Sequence, residues 1–161
     1  GVKKWSAGAP GGAGRAVSCR SVCRALPAPG ALVWVHARAR ARVTRPWIDR
    51  VIRAARRTGA ALAAWPVPDT IKEGVQRAGR WSVRRTVPRT GLWLAQTPQG
   101  FRRAETRAFF EVTGPLTDDV QAVERAGRPV EIVLGSADNF KVTLPEDFDL
   151  CRRVLIARKD R

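Results

Sequence analysis

Compact apolar runs of strand length alternate along this chain with stretches whose apolar residues recur at helical spacing. Ala31-Leu-Val-Trp-Val-His36 and the run over 59–67, centred on Ala60-Ala-Leu-Ala-Ala-Trp65, are short segments of the kind buried in a sheet. Between them Trp47, Ile48, Val51, Ile52 and Ala55 share one helical face, entered at Thr44 with Pro46 and ended by Gly59. That stripe is expected to lie on the sheet. Residues 15–26 read as a short helix before the turn at Pro27 to Gly30. Further on, 102–112 suits a helix, and Thr117-Asp-Asp119 opens another with a capping hydroxyl and two acids in its first turn. Val130-Glu-Ile-Val-Leu134 reads as a strand. Thr143-Leu-Pro-Glu146 combines a capping box with proline at the first helical position, leading a helix through Phe148, Leu150, Cys151, Val154 and Leu155. Strands alternating with helices predict a three-layer α/β fold with a largely parallel sheet, one domain over 1–161 with an irregular start over 1–14.

One region breaks this pattern. Residues 69–72 and 81–87 are polar and extended, around the turn residues Arg77-Ala-Gly-Arg80, which predicts a two-stranded arm over 68–88. A hairpin with so few apolar residues is barely stable alone, so a second copy of the chain is its most economical cover and a homodimer is expected.

Composition adds less than its extremes suggest. The 161 residues carry 30 Lys and Arg against 14 Asp and Glu, a formal charge of 30 − 14 = +16, and 44% are hydrophobic, which argues against disorder. No apolar run is long enough to span a membrane and the Gly/Pro-rich start lacks the apolar middle of a secretory signal, so a soluble, cytoplasmic protein is expected. Residues 1–48 contain nine Lys or Arg and no acid, a segment able to bind a polyanion. Against that, no nucleic-acid-binding motif is present and the six tryptophans are scattered instead of interleaved with basic residues. Abundant Ala, Gly, Pro and Arg together is also what GC-rich codons produce, so a basic nucleic-acid-binding domain is the weaker alternative. The chain has no methionine, even at position 1, which suggests a fragment or processed product. Cys19, Cys23 and Cys151 are odd in number and fit no framework spacing, so reduced thiols are expected; with His36 the sole histidine, a zinc site is a poor alternative.

In an open α/β sheet ligands bind beyond the carboxyl ends of the strands, which directs attention to the segments after His36, Val67 and Leu134. Each holds a polar cluster: 38–44, Pro68-Asp-Thr-Ile-Lys72, and Gly135-Ser-Ala-Asp-Asn-Phe-Lys-Val-Thr143. With Arg89, Thr97 and Thr117 they offer guanidinium, ammonium and hydroxyl donors suited to phosphate. No G-x-x-x-x-G-K-[ST], G-x-S-x-G or H-E-x-x-H motif occurs, which leaves ATPase, hydrolase and metalloprotease readings unsupported.

Four segments together resemble the 2-C-methyl-D-erythritol 4-phosphate cytidylyltransferase family. They are Val35-His36 followed by Arg40 and Val43-Thr44; Pro66-Val-Pro-Asp-Thr-Ile-Lys72; Arg89-Thr-Gly-Leu-Trp-Leu-Ala-Gln-Thr-Pro-Gln-Gly-Phe101; and Ala137-Asp-Asn-Phe-Lys-Val-Thr-Leu-Pro-Glu-Asp147. The resemblance runs from about residue 11 to 157. It implies a Rossmann-like nucleotidyltransferase sheet and transfer of a cytidylyl group from CTP to methylerythritol phosphate, with magnesium, in non-mevalonate isoprenoid synthesis. It also implies a homodimer whose arms clasp each other. On this resemblance Arg89 and Lys141 match the catalytic pair that holds the substrate phosphate, and Arg40, Thr70, Thr97, Thr117 and Asp138 match substrate-side positions. Arg40, Thr70 and Arg89 would serve the partner's site. Gly12 and Ser18 match the segment that recognises the cytidine half of CTP. Two departures stand beside these matches. The family opens with a strand and a glycine-rich, cationic loop that grips the triphosphate, which nothing in this chain matches, so the sheet is expected to be truncated at its amino-terminal side. The aspartate that helps place the metal after the histidine is Ala37 here. The resemblance therefore implies an incomplete cytidylyltransferase, or alternatively a non-catalytic remnant that dimerises and binds phosphosugar.

Overall fold

A computed structural model describes residues 12, 14–25 and 32–159, without the side chains of 157–159. In chain order the elements are α1 (Arg15–Ala25), β1 (Leu32–Val35), α2 (Arg45–Thr58), β2 (Ala60–Pro66), β3 (Ile71–Arg77), β4 (Arg80–Val87) and β5 (Trp93–Arg102). A 3-10 turn (Arg103–Arg107), α3 (Ala108–Glu111), α4 (Val120–Arg125), β6 (Glu131–Leu134) and α5 (Pro145–Lys159) follow. The irregular start expected over 1–14 falls almost wholly outside the described residues.

Strand β2 shows why three layers form. Its residues alternate between two buried faces: Ala60, Leu62 and Ala64 join one core, Ala61 and Ala63 the other. The second core is closed by Val51, Ala54 and Ala55 of α2, so the predicted apolar stripe does lie on the sheet. The first is closed by Ala16 and Cys23 of α1, Ala108 and Phe109 of α3, and Val120, Ala122 and Val123 of α4. Small side chains along β2 let helices approach both faces closely.

The sheet order is β1-β5-β2-β6. β5 pairs antiparallel with β1 and with β2, while β2 and β6 are parallel, so β1, β2 and β6 run one way and β5 runs against them. The expected largely parallel sheet is corrected to this mixed one. The reason lies in Trp93-Leu-Ala-Gln-Thr-Pro-Gln-Gly-Phe-Arg102, whose glutamines, proline and glycine conceal a central strand. Proline is excluded from a central ladder except at irregularities, and here Leu62 pairs with Gln99 but Ala64 with Ala95. Pro98 sits in that bulge, where no ladder donor is required, and its peptide bond with Thr97 is cis.

Three local readings are also corrected. Residues 102–112 hold the end of β5, a 3-10 turn and a single turn of α-helix, not one helix. The hydroxyl of Thr117 does not cap α4: Asp118 Oδ1 accepts the Gln121 N–H at 3.1 Å, and Gln99 Oε1 from β5 accepts the N–H groups of Asp119 (3.0 Å) and Val120 (3.1 Å). For α5 the capping carboxylate is Asp147, one residue beyond Glu146. Pro145 is the first helical residue, so Asp147 stands third and reaches back to Leu144 N–H (3.0 Å), Thr143 N–H (2.9 Å) and the Thr143 hydroxyl (3.0 Å).

These three donors hold the Asp147 carboxyl below its ordinary value of 3.8. The cap is therefore fully present at neutral pH and is lost as acidification passes through the lowered value. Helical signal from α5, followed by amide exchange, should fall at that acid step, and Asp147→Asn should remove the step. An unchanged acid profile in Asp147→Asn would assign it to another group.

The arm is a separate two-stranded sheet, β3 with β4. Ala78 (φ 48°) and Gly79 (φ 76°) both take the left-handed conformation that a tight two-residue hairpin turn requires. Glu73 is held by both Arg84 (2.8 Å) and Arg85, and Lys72 donates to Thr86 at 2.8 Å. Trp81 is 72% exposed and Val83 65%, apolar surface that the described residues leave open. No helix among the described residues is long and apolar enough to cross a membrane.

Candidate functional site

The bulge in β5 builds the site. By taking residues 96–98 out of the ladder it frees Gln96 and Thr97 to bond the loops that follow β1 and β6. Because β5 runs against its neighbours, its beginning lies at the same end as the carboxyl ends of β1, β2 and β6, where open α/β sheets bind ligands.

Thr97 is buried and central to the cluster. Its Oγ1 accepts the Ala37 N–H at 3.1 Å and lies 3.0 Å from His36 Nδ1, and His36 Nε2 lies 2.9 Å from the Arg40 carbonyl oxygen. Arg40 in turn donates to two main-chain carbonyls, that of Asn139 through Nη1 and that of Ala95 through Nη2 at 3.3 Å. Burial lowers the pKa of this guanidinium, yet an arginine stays charged at any physiological pH.

The loop after β6 is anchored from beneath. Asn139, fully buried, donates to Gln96 Oε1 (3.1 Å) and to the Thr97 carbonyl (2.9 Å), while Gln96 Nε2 donates to the Ser136 carbonyl (2.8 Å). Gly135 is required here because a Cβ would stand 2.4 Å from Gln96 Oε1 and 3.2 Å from the Ala64 carbonyl. Val142 N–H closes the loop onto the Ala39 carbonyl at 2.8 Å. Buried Arg42 pairs with exposed Asp138 at 3.1 Å. Lys141 is exposed at the rim of this loop.

The structure thus brings Thr97, Arg40, Asp138 and the Lys141 loop together. It leaves the other expected residues elsewhere. Arg89 is exposed beside a depression of about 490 Å³ that it lines with Trp65 to Pro68 and Thr90 to Trp93, and Lys141 is not part of that lining. Thr70 is exposed just before β3, and Thr117 is exposed before α4 with its N–H on Gln121 Oε1 at 3.0 Å. Ser18 Oγ accepts the Gly12 N–H at 3.0 Å and donates to the Gly14 carbonyl at 3.2 Å, which closes the turn entering α1. A Cβ on Gly12 would stand 2.2 Å from the side chain of Val17, so this close approach needs glycine.

His36, Gln96, Gln99, Asn139 and Arg42 received no role from the sequence, although all but Arg42 lie inside the motif segments. Their only signal is polarity, in a strand for Gln96 and Gln99 and beyond a strand for His36, Arg42 and Asn139, which any solvated segment shares. Asp119 is a further buried anchor: Arg15 holds it at 2.9 and 3.2 Å, and the Cys19 thiol donates to it at 3.0 Å. Burial, reinforced by that carboxylate, pushes the Cys19 thiol up, and burial does the same to Cys23. Both are therefore poor nucleophiles.

A metal held by the protein does not fit this donor set. Ala37 offers only a methyl group, the carboxylate touching the cluster is Asp138, and Asp138 is engaged by Arg42. No group of three or more His, Cys, Asp or Glu able to hold a metal occurs among the described residues.

Comparison with known proteins gives this arrangement its context. The family model of IspD, 2-C-methyl-D-erythritol 4-phosphate cytidylyltransferase, matches residues 9–157. The chain belongs to this family. It is 41% identical over 166 residues to 2-C-methyl-D-erythritol 4-phosphate cytidylyltransferase of Pelotomaculum thermopropionicum, covering 100% of this chain and 68% of that protein. To the bifunctional enzyme IspD/IspF of Anaeromyxobacter sp. strain Fw109-5 it is 47% identical over 151 residues, covering 91% of this chain and 39% of that enzyme. The crystal structure of 2-C-methyl-D-erythritol 4-phosphate cytidylyltransferase from Thermus thermophilus superposes with a TM-score of 0.76 at 38% identity, over 90% of this chain and 71% of that one. The chain therefore spans well under half of the bifunctional relatives and about two thirds of the monofunctional ones. The three-layer nucleotidyltransferase fold of this IspD-family chain is shared with solved members of the family.

Proposed function

We propose that this chain carries the substrate-phosphate residues of an IspD-type cytidylyltransferase, an enzyme that transfers a cytidylyl group from CTP to methylerythritol phosphate. A phosphate oxygen of the methylerythritol phosphate attacks the α-phosphorus of CTP. The bond from that phosphorus to the bridging oxygen breaks, and pyrophosphate leaves with its electron pair. Such a reaction needs two anions aligned and the added negative charge neutralised, which is work for fixed cations more than for covalent chemistry. The single observation that carries the reading is the loop of 135–142, anchored by Asn139 and Arg40 so that Lys141 is presented at the carboxyl end of the sheet.

Lys141 and, from a second copy, Arg89 and Thr70 would meet the substrate phosphate, with Thr97 shaping the floor and Asp138 and Thr117 at the substrate side. Arg40, which the resemblance gave to the partner's site, is tied to the Asn139 carbonyl of its own chain and shapes the floor with Thr97. Gly12 and Ser18 would meet the cytidine. Magnesium would arrive on the triphosphate, since no group of three or more His, Cys, Asp or Glu able to hold a metal occurs among the described residues.

The homodimer belongs to the same proposal. The arm exposes Trp81 and Val83 and is a two-stranded sheet of a kind that is marginal alone, so a second copy is its natural cover. Deleting 73–85 should convert dimers to monomers on size-exclusion chromatography with light scattering; a persisting dimer would place the interface elsewhere.

A second reading is favoured by one observation. Ala37 stands where the resemblance expects the metal-placing aspartate, and its methyl supplies neither charge nor ligand. A chain that dimerises and binds phosphosugar without turnover would keep the Lys141 loop and lose only that position. Pyrophosphate release dependent on both CTP and methylerythritol phosphate, measured in a chimera that joins this chain to the opening segment of a longer relative, tests the first reading. Calorimetric binding of methylerythritol phosphate without release supports the second, and the absence of both refutes the two together.

A further inference from the structure

Thr97, Ala37, His36 and Arg40 form one directed chain of hydrogen bonds whose polarity is determined by its ends. The Ala37 N–H can only donate, so Thr97 Oγ1 accepts it at 3.1 Å and keeps its own proton for another partner. The atom within reach is His36 Nδ1, at 3.0 Å. At the other end, the Arg40 carbonyl can only accept, so His36 Nε2, 2.9 Å away, must carry a proton. One neutral tautomer satisfies both contacts, with a bare Nδ1 and a protonated Nε2.

We propose that His36 is a positioning residue that sets the substrate-phosphate loop by locking the 36–40 turn between Thr97 and Arg40. The carbonyl and the guanidinium of Arg40 have separate duties. The carbonyl is pinned by His36, and the guanidinium spans from Ala95 on β5 to the Asn139 carbonyl on the loop that carries Asp138 and Lys141. Loss of the imidazole donor releases the carbonyl of Arg40, lets its backbone move, and loosens the tie that holds Asn139. His36 therefore acts through Arg40 on a loop about 100 residues away in sequence, without touching substrate.

Packing alone does not explain the residue. The His36 ring lies 6.3 Å from that of Trp34, tilted by 36°, a contact that phenylalanine would reproduce. Only the hydrogen bonds need a ring with one donor and one acceptor.

The inference rests on the proposed function for what the loop binds, but not for how the loop is held, and its test separates the two. His36 is the only histidine of the chain, so its ring nitrogens are read without assignment ambiguity. Nitrogen-15 spectra should show the bare Nδ1, protonated Nε2 form, and Thr97→Val should shift it toward a mixture of tautomers. In His36→Phe the amide resonances of 135–142 should move, and affinity for methylerythritol phosphate should fall about tenfold, the effect of losing one positioning hydrogen bond. His36→Gln, which can keep a donor near the Nε2 position, should recover much of that affinity, while His36→Asn, whose shorter amide reaches only the Nδ1 position, should not.

A protonated Nδ1 in the parent chain, or unmoved 135–142 resonances in a folded His36→Phe, overturns the positioning role. If the parent chain binds no methylerythritol phosphate yet the tautomer and loop shifts occur, the function reading fails and the positioning stands. Should His36→Phe fail to fold, Arg40→Ala takes its place in the loop measurement: displaced 135–142 resonances with the His36 tautomer retained support the relay, and unmoved resonances refute it.

Discussion

Lys141→Ala should lower cytidylyl transfer by about 10²–10³-fold, the cost of removing one charge-stabilising donor from a phosphoryl-transfer site. The fold should survive, because Lys141 is exposed and holds no other part of the structure among the described residues. Pyrophosphate release in a chimera that joins this chain to the opening segment of a longer relative measures the first claim, and far-UV circular dichroism the second. Unchanged turnover would remove Lys141 from the site. Arg89→Ala should cost a comparable factor for a different geometric reason. Arg89 lines its own depression at the β4–β5 connection, a lining that includes neither Thr97 nor Lys141, and in the proposed homodimer the arm delivers it to a second copy. Mixing the two inactive variants should then restore activity to about a quarter of the unmodified level, since half of randomly formed dimers are mixed and each has one intact site of two. No recovery in a mixture that exchanges subunits would place Arg89 and Lys141 in the same chain's site or outside it.

Phe101→Ala should destabilise the chain by about 3–5 kcal/mol. Phe101 is wholly buried in β5, where it pairs with Val33 of β1 on one side and Ala60 of β2 on the other, and its ring meets Phe109 edge-on at 5.6 Å. A strand in the middle of the sheet loses contacts on both sides when this ring is removed, and the helix layer under Phe109 cannot collapse into the space without shifting the sheet. Against total stabilities of about 5–15 kcal/mol for ordinary domains, that loss is a large share. Urea titration should show a lower midpoint with an unchanged slope. A loss below about 1 kcal/mol, far under the cost of an ordinary buried ring, would mean that the 101–109 contact is not part of the cooperative core.

Both expectations rest on β5, the strand whose sequence says least about itself. The apolar runs around 31–36, 59–67 and 130–134 were legible as strands, and the stripe of α2 was legible as a sheet-facing helix, because burial on a regular lattice leaves a period of two or 3.6 in the chain. β5 interrupts its own period with Gln96, Pro98, Gln99 and Gly100, each placed for a contact that is distant in sequence. Gln99 caps α4, Gln96 and Thr97 receive the loop after β6, Pro98 fills the bulge, and a Cβ on Gly100 would crowd Val51 and Ala55 of α2 at 3.2 and 3.3 Å.

The sequence by itself determined the three-layer class, the arm with its tight turn, and, through four motif segments, the family. It also named Thr97, Arg40, Asp138 and Lys141 among the site residues, with Arg40 assigned to the partner's site and Lys141 paired with Arg89. These features are local: an apolar period, a turn that needs left-handed residues, or a run of residues whose order alone is informative. Only the tertiary structure decided that β5 lies antiparallel between β1 and β2, that Asp118, Asp147 and Gln99 do the capping, and that Arg40 is tied to the loop of Lys141 in its own chain. It alone joined His36 to the loop of 135–142. The physical reason is that a buried hydrogen bond depends on where two remote backbones meet, and neither partner carries a mark of the other in its own neighbourhood.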